Sequence, residues 1–281
     1  MDRKPKWLRQ ERLPVGEKAS AVLSTIREHK LKTVCTEASC PNKGKCFSEG
    51  TATFLILGPS CTRNCRFCNI GHELPSPEDP EEASRVAEAA GKMGLSFIVI
   101  TSVTRDDLPD RGANAFARVI REVRKKLPRA GIEVLTPDLD GRRDLLKIVL
   151  DEKPDVFNHN IETVRRLTPE IRSGADYDRS LTILKNAKEM FPGQVTKSGL
   201  IVGLGETREE LRETFTDLAS VFVNRLTIGQ YLPPSLKHHP VARYLTPEEF
   251  EELKEEAKGA GIRAVLSGPF VRSSFHAASF D

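Results

Sequence analysis

The sequence predicts an α/β protein, a partial (β/α)6 barrel of TIM type carrying an N-terminal cluster-binding extension and a short C-terminal tail. Two patterns carry the fold class. Short apolar runs of strand length alternate with amphipathic helical stretches about six times, which implies parallel strands joined by right-handed crossovers. Helix-start signals punctuate the repeats at Asp79-Pro80-Glu81-Glu82, at Thr207 with Glu210, and at Thr246-Pro247-Glu248-Glu249. From pattern alone an open doubly wound sheet is the alternative.

Taken in order, residues 1–50 read as an extension with one amphipathic helix over 17–29. Strands are expected at 54–57, 97–101, 133–135, 156–158, 197–202 and 226–231, with a weaker seventh at 263–266. Between them, Val86, Ala89, Ala90 and Met93, and then Phe116, Val119, Ile120, Val123 and Leu127, follow helical spacing and are assigned to packing on the sheet. This divides the chain into the extension (1–50), the barrel (51–266) and a C-terminal segment (267–281).

The bulk numbers exclude more than they assert. Hydrophobic content of 38% beside 30% charge is ordinary for a globular protein, and a net charge of +3 makes no case for nucleic acid. No apolar run reaches the ~18–20 residues of a membrane span. The opening residues carry charge where a signal peptide needs an apolar core, so a cytoplasmic protein with reduced thiols is expected. Nothing demands more than a monomer.

All six cysteines lie between Cys35 and Cys68, in two triplets. Cys35, Cys40 and Cys46 form C-x4-C-x5-C; Cys61, Cys65 and Cys68 form C-x3-C-x2-C in the loop after the first barrel strand, at the end where a barrel keeps its chemistry. Zinc sites favour paired C-x-x-C or added histidines, and neither triplet offers that pairing. Three thiolates bind three irons of a four-iron cluster and leave the fourth open, so two [4Fe-4S] clusters are expected, each needing a ligand from elsewhere. His159, His238, His239 and His276 are scattered without ligand spacing and are read as structural.

The segment CTRNCRFC resembles the radical S-adenosylmethionine superfamily, in which the open iron is chelated by S-adenosylmethionine. Gly199 to Glu206 reads G-x-I-x-G-x-x-E and is similar to that superfamily's adenine-contacting segment, which nominates Gly203 and Glu206. Thr101, Ser102, Asn160 and Glu162 end or follow predicted strands and are candidates for the methionine and ribose ends of the cofactor; capping a turn is the plainer role of each. Arg172 is a candidate partner for the cofactor carboxylate, with a surface ion pair as the plainer reading.

The first triplet, with Lys4-Pro5-Lys6-Trp7-Leu8-Arg9, Asn158-His159-Asn160-Ile161-Glu162-Thr163, Gly229-Gln230-Tyr231-Leu232 and Arg272-Ser273-Ser274, resembles the lipoyl synthase family over nearly the whole chain. That resemblance implies an auxiliary sulfur-donating cluster on Cys35, Cys40 and Cys46, with Ser274 as its fourth ligand and Ser273 as the neighbouring alternative. It implies sulfur insertion at C6 and C8 of an octanoyl group on a lipoyl carrier, either the lipoyl domain of a 2-oxoacid dehydrogenase E2 or a glycine cleavage H protein. A ferredoxin or flavodoxin would supply low-potential electrons. The family has tyrosine after the two serines; Phe275 stands here and removes a phenol hydrogen bond. A methylthiotransferase would carry a cysteine-bearing domain before the barrel and generally an RNA-binding module, whereas only about 50 residues are expected before this barrel and nothing recognisable after it. An iron–sulfur electron carrier would not need so large a scaffold.

Overall fold

The computed structural model describes residues 4–9 and 15–279; parts of the basic N-terminal stretch (1–3, 10–14) and residues 280–281 lie outside the described residues. The chain divides into two compact units.

The first unit comprises Glu11–Arg63 and Asn69–Val156. It opens with α1 (Glu17–Glu28), which buries Ala19 and Val22 on one face as the helical spacing requires. A two-residue strand β1 (Lys32–Thr33) follows, then the one-turn helix α2 (Val34–Glu37), whose Thr33 side chain caps the N–H of Thr36 at 3.3 Å. After α3 (Lys43–Ser48) the chain enters β2 (Thr53–Ile56), all four residues of which are buried. Strands β3 (Phe97–Ser102) and β4 (Gly131–Leu135) extend the sheet in parallel, with Thr53 opposite Val99 and Phe97 opposite Gly131, while β1 adds to β2 antiparallel. The crossovers are α4 (Glu82–Lys92) and α5 (Ala113–Lys126); α6 (Arg143–Leu150) follows β4. Phe116, Val119, Ile120 and Val123 are buried along α5, as expected from their spacing.

One start signal is displaced. Asp79 and Pro80 predict the first turn of α4, yet the helix begins at Glu82. Asp79 instead closes a tight turn by accepting from the N–H of Glu81 at 2.9 Å, and the Glu82 carboxylate accepts from the N–H of Leu57 at 2.9 Å. A carboxylate that finds a backbone partner at the end of β2 fixes the helix start two residues later than the local cap would.

The second unit comprises Met1–Gln10, Asn64–Cys68 and Phe157–Asp281. Strand β5 (Val156–Asn158) leads into it, followed by α7 (Thr168–Ile171), α8 (Tyr177–Met190), β6 (Val195–Val202), α9 (Arg208–Ser220), β7 (Arg225–Gln230), α10 (Pro247–Gly259) and β8 (Ala264–Gly268). Both predicted capping boxes, Thr207 with Glu210 and Thr246 with Glu249, are formed. Strands β6, β7 and β8 run parallel, with Gly199 opposite Thr227 and Thr227 opposite Leu266, so the weakest strand candidate also forms. The N-terminal residues pack here: Leu8 is fully buried and the indole N–H of Trp7 donates to Leu245 O at 3.2 Å. Within each unit successive strands are hydrogen-bonded neighbours, without the order reversal of a doubly wound sheet.

Candidate functional site

The first triplet lies in the first unit, where Cys35 rides on α2 and Cys46 on α3. Cys35 packs in an apolar cluster with Ala19, Val22 and Phe47, and Cys40, Cys46, Ile26, Val34, Ala52 and Met93 line its edge. Burial, reinforced by the neighbouring Cys40, pushes the Cys35 thiol up to about 11. Burial, then the charges of Cys35 and Cys40, pushes Cys46 up to about 12. Thiols that feel one another electrostatically in a dry pocket fit a group carrying positive iron, because the metal reverses the penalty on the thiolates. Among the described residues no three Cys, His, Asp or Glu side chains are gathered as for a single metal ion. A four-iron cluster spreads its thiolates over a cubane and does not need that spacing.

The second triplet is held by hydrogen bonds. In the first unit, Cys61 N donates to Gly71 O at 2.8 Å and Thr62 N to Thr104 O at 3.1 Å. Thr62 Oγ1 also donates toward Thr104 O and Asp106 Oδ2 at 3.1 and 3.0 Å. Arg63 forks onto Asp106 and Asp138. In the second unit, Arg66 N donates to Ile171 O at 2.9 Å and Arg66 O accepts from His239 N at 2.9 Å. The His238 ring donates from Nε2 to Cys68 O at 3.1 Å, since a carbonyl only accepts; in the neutral ring Nδ1 then accepts from Ser235 Oγ at 2.9 Å. The His239 ring Nε2 meets Leu204 O at 3.2 Å, and the buried Nε2 of His159 meets Ser180 Oγ at 3.1 Å.

The strand-end candidates divide by how they are used. In the first unit Thr101 spends its hydroxyl on Leu135 O at 3.0 Å, whereas Ser102 Oγ is buried and has no hydrogen-bond partner among the described residues. A buried hydroxyl without a partner at the end of β3 has its hydrogen-bonding capacity unspent. In the second unit Asn160 Nδ2 donates to Glu162 Oε1 at 2.8 Å. Glu162 holds a left-handed backbone (φ 63°), tied on both sides by Gly199 O and Ile201 N. Desolvation pushes its carboxyl up, opposed by Arg172, then Asn160 and Arg272. Arg172 is buried and not in a surface ion pair; its Nη1 donates to Ile161 O and Ser180 Oγ at 3.1 and 3.0 Å.

Gly203 has φ 98°, and a Cβ there would stand 2.3 Å from Gln230 Nε2, so no side chain fits. Glu206 turns back to accept from the N–H groups of Gly203 and Leu204 at 2.6 and 2.9 Å. Its carboxylate shapes the glycine turn.

The C-terminal segment crosses the second unit at Gly229 and at Asn158 and Asn160. A Cβ on Gly229 would meet Val271 O at 2.0 Å, so glycine is needed where the tail passes over β7. Ser273 Oγ donates to Asn160 Oδ1 at 2.7 Å and accepts from Asn158 Nδ2 at 3.0 Å. The Ser274 hydroxyl makes no hydrogen bond among the described residues. Phe275 packs edge-on against His276 at 4.1 Å between ring centroids.

The parallel strand–helix fold and the C-x3-C-x2-C loop at a strand end define a radical S-adenosylmethionine protein. Residues 55–218 match the family described as the Radical SAM superfamily. Solved structures share the fold. SuiB of Streptococcus suis bound to its precursor peptide SuiA superposes with a TM-score of 0.60 at 13% identity, covering 88% of this chain and 52% of that one, so this chain spans about half its length. Methylornithine synthase gives 0.54 at 14% identity over 89% and 85% of the two chains. The fold class is thus α/β, of the partial-barrel type.

Curated relatives are much nearer. The lipoyl synthase of Alkaliphilus metalliredigens is 51% identical over 276 residues, 98% of this chain and 95% of its own, and that of Pasteurella multocida is 51% identical over 98% and 86%. The chain belongs to the lipoyl synthase family. Family membership brings S-adenosylmethionine and a [4Fe-4S] cluster as cofactors.

Proposed function

We propose that this chain inserts two sulfur atoms, at C6 and C8, into an octanoyl group carried on a lysine of a lipoyl carrier protein. Cys61, Cys65 and Cys68 would hold the reducing cluster. Cys35, Cys40 and Cys46 would hold the auxiliary cluster, from which the sulfur comes, with Ser274 as its fourth ligand. When bound at the reduced cluster, S-adenosylmethionine supplies the 5′-deoxyadenosyl radical that removes hydrogen from unactivated carbon, chemistry beyond any acid or base side chain.

The chain's own groups bind and orient. Ser102 offers its free hydroxyl to the cofactor, Gly203 lets backbone approach a flat ring, and Glu206 keeps that turn in shape. Thr101 supports the β3 end from Leu135 O. Asn160 and Glu162 follow β5 and Arg172 follows α7, and their amide, carboxyl and guanidinium are the polar groups that a bound amino acid moiety would meet. The choice between the two serines rests on one observation: Ser273 is engaged by Asn158 and Asn160, while among the described residues the Ser274 hydroxyl makes no hydrogen bond.

The carrier would be an E2 lipoyl domain or a glycine cleavage H protein, the electron donor a ferredoxin or flavodoxin, and the enzyme a cytoplasmic monomer. In this scheme residues 1–50 serve the auxiliary cluster, 51–266 the radical chemistry, and 267–281 supply the serine. The observation that carries the reading is the pair of cysteine triplets in a chain 51% identical to lipoyl synthases along nearly its whole length.

The test is anaerobic incubation of the reconstituted protein with reductant, S-adenosylmethionine and an octanoylated lipoyl domain. Mass spectrometry should show two sulfurs on the carrier, with two 5′-deoxyadenosines released for each. Cofactor cleavage without a sulfur-bearing carrier would overturn the proposal.

A further inference from the structure

Arg63 lies between Cys61 and Cys65, and nothing in the cysteine pattern asks for an arginine there. Its side chain is only 10% exposed. Nε and Nη2 grip Asp106 at 2.8 Å each, while Nη1 and Nη2 grip Asp138 at 2.8 and 3.0 Å. One guanidinium therefore serves two carboxylates in fork geometry, which a lysine ammonium does not reproduce. Burial alone works against the cation, but the bonds from Asp106 and Asp138 outweigh it and keep the charge in place. Asp138 is itself fixed: its side chain is 1% exposed and caps the N–H of Asp140 at 3.2 Å. Asp106 is tied a second time, its N–H donating to Thr62 Oγ1 at 3.1 Å. Arg63, whose side chain is clamped in this way, donates its own backbone N–H to Cys61 Sγ at 3.4 Å.

We propose that Arg63 is a positioning residue that sets the reduction potential of the cluster held by Cys61. This rests on the reading of Cys61, Cys65 and Cys68 as the reducing-cluster ligands. The fork acts in two ways of the same sign. It holds the peptide N–H against the Cys61 sulfur, and hydrogen bonds to cluster sulfurs favour the reduced, more negative state. It also leaves one net negative charge from three ionic groups, of which only Asp106 is substantially exposed, where loss of the cation would leave two. Uncompensated carboxylates beside a cluster oppose the entry of an electron.

The test uses the reconstituted full chain and reads the cluster before it reads turnover. R63M should retain iron and sulfide but show a more negative midpoint potential by spectroelectrochemical titration. R63K should fall between R63M and wild type. R63M/D138N, which removes one charge of each sign, should move back toward wild type.

Cleavage of S-adenosylmethionine by R63M should drop ~10–100-fold with dithionite, the range typical of groups that support metal ligands, and recover with titanium(III) citrate, a stronger reductant. A purely structural role predicts an equal deficit with both reductants and an unmoved potential in whatever cluster remains, and either result overturns the proposal. If R63M does not fold, R63K and T62A carry the same potential measurement: a wild-type value in both overturns it. Wild-type protein that binds no cluster at Cys61 would instead overturn the underlying functional reading.

Discussion

The two cysteine triplets present the same three thiols to opposite surroundings. Cys35, Cys40 and Cys46 sit on or beside one-turn and two-turn helices against Ala19, Val22 and Phe47, where the matrix is apolar and the thiols of Cys35 and Cys46 resist ionisation. The loop of the second triplet is hydrogen-bonded instead, through Thr62 and Arg63 in the first unit and through Arg66 and Cys68 O in the second. An apolar pocket disfavours bare thiolates and so stabilises them only with iron present. A hydrogen-bonded loop holds its geometry whether or not iron is there. On the proposed function this matches the division of labour: one site whose cluster is consumed and refilled, another whose cluster is kept and cycles electrons.

The largest test of that contrast replaces one cysteine from each triplet. C65A should abolish both cofactor cleavage and sulfur insertion. C40A should abolish insertion while 5′-deoxyadenosine release on an octanoylated carrier persists. Chromatographic assay of 5′-deoxyadenosine beside mass spectrometry of the carrier separates the two, and equal loss of both products in C40A would erase the distinction between the sites.

A smaller effect is expected at the tail. S274A should lower lipoyl formation ~10–100-fold, as removal of a metal-site group does, with cofactor cleavage retained. S273A should cost less, because it removes hydrogen bonds to Asn158 and Asn160 worth ~1 kcal/mol each. Iron content and product yield for both variants decide the order; the reverse order would move the ligand role to Ser273.

The serine pair also shows where sequence reading stops. Cysteines announce themselves by type and spacing, and capping boxes by residues three apart, so both triplets and the starts of α9 and α10 were legible. The difference between Ser273 and Ser274 is written 115 and 113 residues away, at Asn158 and Asn160. The Arg63 partners lie 43 and 75 residues on, and no local pattern points to them. Arg172 resembles a surface residue by type and is buried because its donors find Ile161 O and Ser180. The start of α4 likewise lies later than local signals place it, at Glu82, whose carboxylate accepts from the distant N–H of Leu57. Local chemistry was readable; partners brought together by the fold were not.

The smallest effect concerns the metal-free protein, where the apolar pocket should reveal itself through pH. Cys35 and Cys46 have folded pKa values of about 11 and about 12, raised from the ordinary 9.0 chiefly by burial. Between those values the unfolded chain has lost its thiol protons while the folded chain keeps them, so stability falls with rising pH in that window. Below 9.0 the contribution is complete; it is lost as pH climbs through the folded values. Thermal melts of the metal-free wild type should thus decline from about pH 9 to about pH 11 more steeply than those of C35A/C46A, whose alanines have no proton to lose. Parallel curves for the two proteins would mean that burial does not keep Cys35 and Cys46 protonated, and the contrast between an apolar site and a hydrogen-bonded one would not hold in solution.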